Sequence, residues 1–321
     1  VSSEVAQTHT TVHRKSFRLG YDLRTQTELQ TMIWPAVLFI ILFNFVPLIG
    51  LLMAFKNYDP TTGVQGIFTS VWNNFFNFLS IFQSYQFWPM VRNTLGINLL
   101  SSLIGIPATL LFALLLNELQ SYKLKSIVQT VTYLPHFLSW VIYGGLIISL
   151  LDPQSGVVNY LLIHLHIVQR PVQFLTNPSY FWMIAVLTGL IKDIGWGAIL
   201  YLAAIAGIDQ SLHEAAAIDG AGRFRRIFHV TLPGIMPTVM ILVIFAVSGM
   251  LNNNFNQIYV LQNALNLPSS QVIDTYVYQV GLQQFQFASA TAIGLMKSVF
   301  ALILLVSANY ASKKFTNSGL F

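Results

Sequence analysis

Cysteine is absent from the 321 residues, which excludes disulfides, thiolate metal sites and cysteine nucleophiles together. Charge is nearly as scarce. Only 8% of residues are Asp, Glu, Lys or Arg, against about 25% in soluble domains. Hydrophobic residues make up 55% and mean hydropathy is +0.63, so the chain reads as an all-α polytopic membrane protein. Neither G-x-x-x-x-G-K-[ST] nor any Gly-Lys pair occurs, and without them there is no P-loop to bind ATP. H-E-x-x-H and G-x-S-x-G are missing too, as is any pair of intramembrane carboxylates for glycoside chemistry. No catalytic residue, metal or cofactor is expected. The net charge of +5 comes from basic residues in separate loops with no recognition motif among them. It describes membrane topology, not affinity for nucleic acid.

Six apolar stretches stand out, near residues 32–55, 91–116, 127–151, 181–206, 237–251 and 287–308, in the length range that crosses about 30 Å of hydrocarbon. Residues 1–31 form a polar arm in which Phe17, Leu19, Tyr21 and Leu23 suit either a surface-lying amphipathic segment or a disordered tether. The first span behind it reads as a retained anchor and not a cleaved signal peptide. Pro35 and Pro47 are candidate kinks there, and Pro135 with Gly144-Gly145 interrupts the third span. In the second span Ser101, Gly105, Thr109 and Ala113 recur every fourth residue, a stripe read as helix packing. His136 beside Pro135 lacks an acid in its own span, and reads as a structural histidine. His164 and His166, in the outer loop opened by Asp152-Pro153, have no third ligand near in sequence, so no metal site is expected.

The distribution of Lys and Arg sets the orientation. Eleven lie in the proposed inner segments: Arg14, Lys15, Arg18, Arg24, Lys123, Lys125, Arg223, Arg225, Arg226, Lys313 and Lys314. Only Lys56, Arg92 and Arg170 fall outside. The consistent solution has six spans with both ends in the cytoplasm, an arm over 1–31, a membrane domain over 32–308 and a tail over 309–321.

The longest polar interruption in the second half is a loop over 207–236 centred on Glu214-Ala215-Ala216-Ala217-Ile218-Asp219-Gly220-Ala221-Gly222-Arg223 and running on to Leu232-Pro233. Ser211, three residues before Glu214, fits a capping box. The alanines make a slim helical face, Gly220 and Gly222 permit a tight reversal, and a second short helix follows. The spacing E-A-A, Gly four residues after the second Ala, then nine residues and a β-branched residue, any residue, Leu-Pro, resembles the signature loop of permease subunits of ATP-driven (ABC) importers. Val230 stands where that family more often has Ile. The resemblance implies a type I importer permease fold. It also implies that Glu214, Ala215, Ala216, Asp219, Gly220, Arg223, Leu232 and Pro233 form a coupling loop that docks on an ATPase subunit. A second homologous permease, two ATP-binding subunits and a periplasmic or tethered solute-binding protein would complete the assembly in a bacterial inner membrane.

Lys192 and Asp193 in span four and Lys297 in span six lie about ten residues inside their spans, near the midplane, where a charge faces a cavity or a partner. Trp196 shares the helix face of Lys192, an arrangement suited to stacking a sugar while the ammonium holds a hydroxyl or carboxylate. It equally suits a structural lysine stacked on the indole or paired with a partner subunit. Asn252, Asn253, Asn254, Asn256 and Gln257 form an amide cluster suited to sugar hydroxyls. The run Gly195-Trp196-Gly197-Ala198-Ile199-Leu200-Tyr201, with Asn253-Asn254-Phe255 beyond the loop, is similar to the carbohydrate-uptake, maltose-type branch of these permeases, and nearest to importers of alginate or other polysaccharide oligosaccharides. That resemblance points to Trp196, Asn253 and Asn254 as sugar-lining residues. The midplane lysines, which maltose-type members lack, point to an acidic sugar. An ion-coupled secondary sugar transporter is the alternative, and would normally show internal repeats or several intramembrane carboxylates.

Overall fold

The computed structural model describes residues 27–316. The polar arm, with Arg14, Lys15, Arg18, Arg24 and its suggested amphipathic segment, lies outside the described residues. Among the described residues there is no β-strand, and one isolated antiparallel bridge joins Lys56 and Trp72. The chain divides into a unit ending at Leu51 and a unit from Leu52 onward.

In the first unit α1 (Thr27–Ile40) passes into a π-helical turn, Ile41–Phe45, and then a tighter 3-10 stretch that opens at Val46. Pro47 lacks an amide hydrogen and its ring crowds the carbonyl four residues back, at Phe43. The winding loosens at that carbonyl and tightens afterwards. Trp34, Phe39 and Phe43 are exposed, as side chains facing lipid are.

The second unit begins with two short helices, α2 (Gly63–Thr69) and α3 (Phe76–Gln83). The second span is α4 (Phe87–Glu118), which starts before the expected residue 91. The third is two helices, α5 (Tyr122–Phe137) and α6 (Trp140–Leu151), bent by 104°. The break falls just after Pro135, and Ser139 restarts the helix by accepting the Ile142 amide at 3.3 Å. The Gly144-Gly145 pair, expected to interrupt this span, lies inside α6. Helix α7 (Val157–His164) occupies the loop that follows, and α8 (Phe181–Ala206) is the fourth span.

The signature loop contains α9 (Gln210–Ile218) and α10 (Arg223–Arg226). Then comes a π-helical turn, Ile227–Thr231, and α11 (Leu232–Ser248). From Arg223 to Ser248 the path is one continuous span of 26 residues, so the fifth span starts well before the expected residue 237. Pro233 does not end it, because the π-helical turn absorbs the missing hydrogen bond. The Asn/Gln-rich segment folds into three short helices, α12 (Phe255–Leu261), α13 (Leu267–Ser270) and α14 (Ile273–Tyr278). The last span is α15 (Phe287–Thr316). Among the described residues five helices are long and apolar enough to cross a membrane, and the bent α5–α6 pair makes six if taken as one span.

Helix α8 is central. Its most apolar stretch is 39% buried, against 11% for α4, 22% for the α10–α11 span and 17% for α15. Lipid is as apolar as leucine, so association here depends on close backbone approach instead of hydrophobic transfer. Gly195 shows this: a Cβ there would lie 2.5 Å from the Thr132 carbonyl oxygen, so only glycine lets α8 touch α5. Below that contact, Ala113, Ala198, Tyr201, Ile205, Ile235 and Val239 form one buried cluster joining α4, α8 and α11, and Ile208 at the start of the loop packs against it.

Candidate functional site

Lys192 and Asp193 leave α8 on different sides and meet different neighbours. Lys192 is 4% exposed, and its ammonium donates to the carbonyls of Pro135 at 2.7 Å, His136 at 2.8 Å and Leu138 at 2.8 Å. These belong to the end of α5, which carries the negative end of the helix dipole; of the three, the Pro135 carbonyl also accepts the Leu138 amide at 3.2 Å. Trp140 and Tyr143 place their rings 5.4 and 5.6 Å from the cation. An ammonium has three N–H donors, and all three are engaged. The expectation that Lys192 holds a sugar hydroxyl or carboxylate is therefore corrected: this lysine closes the broken third span, and Trp196 is not the ring beside it.

Trp196 instead stacks on His136, with centroids 4.5 Å apart and planes 4° from parallel, while Phe137 meets the indole edge-on at 5.7 Å. His136 Nδ1 lies 2.7 Å from Asp193 Oδ1. The acid missing from the span of His136 thus comes from α8. Asp193, His136 and Trp196 form one partly exposed platform beside the bend.

Between α4, α8 and the start of α12 lies a cavity of about 430 Å³, within the usual range for a small-ligand site. Asn98, Ser101 and Thr109 line it from α4, Asp193 from α8, and Asn252 and Asn253 from the amide cluster. Three members of the every-fourth-residue stripe, Ser101, Gly105 and Thr109, line this space, so they do more than pack; Ala113 alone is fully buried. Asn254 also borders the cavity, but its side-chain oxygen accepts the Gln257 amide at 3.2 Å and caps α12. The Asn253 side-chain oxygen is buried without a hydrogen-bond partner.

Lys297 does have a partner. Its ammonium is ion-paired with Asp274 of α14, whose other oxygen accepts the Asn253 amide at 3.1 Å. Asp193 is therefore not the sole carboxylate among these helices. Asp274 escapes a hydropathy reading because α12–α14 are too short and polar to register as membrane structure. The usable signal is Lys297 itself: a cation that deep needs an anion, and Asp274 is the acid nearest to it in sequence. Both lysines on which an acidic sugar rested are thus already partnered.

In the signature loop the helix starts two residues earlier than the Ser211 capping box implies. Asp209 is the cap, accepting the Ser211 amide at 2.9 Å, and this hydrogen bond holds the Asp209 carboxyl below its ordinary pKa. Glu214 is released from capping and stands exposed. The helix ends in a Schellman turn: the Ala221 amide reaches the Ala216 carbonyl at 2.9 Å and the Gly220 amide reaches that of Ala217 at 3.1 Å. Gly220 has φ +73°, the left-handed conformation glycine favours. Gly222 is extended, at φ −67° and ψ 171°, and does not need to be glycine. The exposed tip carries apolar side chains beside its arginines, with Ile218 87% and Phe224 79% exposed.

Residues 105–317 match the family described as binding-protein-dependent transport system inner membrane component. The chain belongs to that family. Protein LplB of Bacillus subtilis (strain 168) is 40% identical over 299 residues, which cover 93% of this chain and 92% of LplB. The polygalacturonan/rhamnogalacturonan transport system permease protein YteP of the same organism is 38% identical over 307 residues, covering 96% and 94%. A crystal structure of a bacterial alginate ABC transporter, in complex with alginate pentasaccharide-bound periplasmic protein, superimposes with a TM-score of 0.85 at 37% identity, covering 94% of this chain and 100% of the other. The all-α, multi-pass ABC permease fold implied by the Glu214–Pro233 spacing is thus the observed one, and an ion-coupled carrier is set aside.

Proposed function

We propose that this permease is the membrane subunit of an ATP-driven importer of acidic polysaccharide fragments. It pairs with a second homologous permease, two ATP-binding subunits and a solute-binding protein that delivers the oligosaccharide. It sits in a bacterial inner membrane with both termini in the cytoplasm. The observation that carries this is the union of a likeness to polysaccharide-fragment permeases along nearly the whole chain with a membrane cavity into whose apolar lining amides and hydroxyls are set. Such groups suit sugar hydroxyls and would be poor lipid contacts. Asn252, Asn253, Asn254, Asp193 and Trp196 line the sugar path, and Lys192 holds the α5 bend that presents Trp196.

The coupling loop supplies the drive. Glu214, Ala215, Ala216, Asp219, Gly220 and Arg223 form the docking knob, and Leu232 and Pro233 join it to α11. Because the helix is unbroken from Arg223 to Ser248, a load on the knob tilts one rod that ends beside Asn252. A rod of 26 residues is about 39 Å long, so a tilt of about 5° moves its far end by about 3 Å. Ile208 carries part of the same load into the α4–α8–α11 core. The sugar-loaded binding protein shifts the outward–inward equilibrium by its differential affinity for the two states.

The test uses the complete transporter in proteoliposomes and reads ATP hydrolysis stimulated by the loaded binding protein. Glu214→Ala is expected to abolish stimulation while the complex still assembles. Wild-type stimulation in that variant, or sugar uptake without the ATP-binding subunits, overturns the proposal.

A further inference from the structure

On the far side of the amide cluster from the α4–α8 cavity lies a second recess of about 590 Å³, bounded by α12, α14 and α15. Its wall combines Asn253, the Asp274–Lys297 pair, Phe255 and Tyr278. Phe255, Tyr259 and Tyr278 form a mutual triplet with all three centroid separations at 5.2 Å, and Phe255 and Tyr278 present it to the recess. The ion pair also lines an adjoining recess of about 590 Å³ that Asn252 shares.

We propose that this recess is a uronate subsite, in which the carboxylate of an acidic sugar displaces Asp274 from Lys297. This inference rests on the importer reading above and names the residue that selects for charge. Two features carry it. First, Lys297 is the cation lining these recesses, whereas Lys192 is closed off by three carbonyls. Its side chain and that of Asp274 remain 14% and 22% exposed, so the pair is reachable from the recess. Second, the Asn253 side-chain oxygen is buried without a partner in the same wall, and a buried acceptor left alone is costly. If the Asn253 side chain turns outward as the sugar enters, a hydroxyl beside the carboxylate would satisfy that oxygen, while the Phe255–Tyr278 surface receives the apolar face of the ring.

Exchange of one carboxylate for another keeps Lys297 paired, while Asp274 stays behind as a second negative charge in the recess. Asp274 retains its hydrogen bond from the Asn253 amide at 3.1 Å, so it need not be left bare when Lys297 turns away. A neutral sugar offers Lys297 no anion and leaves the pair closed. Selection therefore comes from competition and not from a standing free charge.

The experiment uses the reconstituted complete transporter, with alginate and galacturonate tetrasaccharides and their carboxyl-reduced, neutral counterparts as probes. The wild type is expected to favour the acidic forms. In Lys297→Met the ratio of acidic to neutral transport efficiency should fall by about ten- to a hundredfold, the worth of one charge-assisted hydrogen bond, and Lys297→Arg should restore part of it. Asp274→Asn removes the competitor and should lower the KM for acidic probes. The double variant Lys297→Met/Asp274→Asn leaves no unpaired charge and guards against misfolding; it too should lose the preference. Retention of the wild-type preference in the double variant overturns the inference while leaving the importer reading intact. Failure of the wild type to respond to any of the four probes overturns both.

Discussion

Replacing Lys192 with Met tests whether this lysine belongs to the scaffold or to the sugar path. The change deletes three hydrogen bonds of 2.7–2.8 Å and leaves the last carbonyls of α5 facing a thioether. Each orphaned buried acceptor costs about 1–3 kcal/mol; the Pro135 carbonyl keeps the Leu138 amide at 3.2 Å, so the other two amount to roughly 4 kcal/mol. Relief from burying an ammonium offsets part of that. A net loss of about 2 kcal/mol remains, equivalent to a drop of about 4–8 °C in the unfolding midpoint of the solubilised complex, compared at one scan rate. The assay pairs that melting curve with uptake of acidic and neutral oligosaccharides by the surviving protein. The expected result is a lower midpoint with an unchanged acidic-to-neutral ratio. An unaltered midpoint with a collapsed ratio would refute the reasoning and return the ammonium to the pathway.

Other positions yield sharper, smaller tests. Gly195→Leu forces a Cβ to within 2.5 Å of the Thr132 carbonyl and should prevent α8 from seating on α5, read as loss of the monodisperse complex in detergent. Gly220→Val strains a residue at φ +73° that has no neighbour within 4 Å of its Cβ position; the penalty is purely backbone, about 1–2 kcal/mol, and Gly220→Asn should retain more stimulated ATPase activity than Val. Asp209→Ala should speed hydrogen exchange at the Ser211 amide, while Asp209→Asn keeps an acceptor and largely restores protection. Since the Ser211 hydrogen bond lowers the Asp209 pKa, the cap's contribution is complete above the ordinary carboxylate range. It disappears only as pH falls through the lowered value, so Asp209 should give no titration step near neutral pH.

Much of the architecture is written locally and could be read from the chain. Span positions follow from hydropathy, and the knob follows from a fixed spacing of small, acidic and Leu-Pro residues. Where the reading went astray, the deciding contact is remote in sequence. Lys192 is partnered by carbonyls 54 to 57 residues away, and backbone acceptors leave no trace in side-chain patterns. His136 and Asp193 are likewise 57 residues apart. The start of the fifth span was masked by Pro233, which looks like a breaker until the π-helical turn just before it accommodates it. Asp274 was missed because a carboxylate in a polar, Asn/Gln-rich stretch gives no hint that it answers a lysine on the next span.

The wide turn at Ile227–Thr231 has a consequence of its own. A π-helical turn holds one surplus residue, and this one sits between the arginine-bearing α10 and the rod of α11. The extra residue is taken up within the wider turn, so what grips the protein and what moves inside it keep nearly the phase of one unbroken helix. Deleting His229 would let the turn close to ordinary α-helical winding with the flanking helices near their present angle, so the joint would lose its slack and keep its timing.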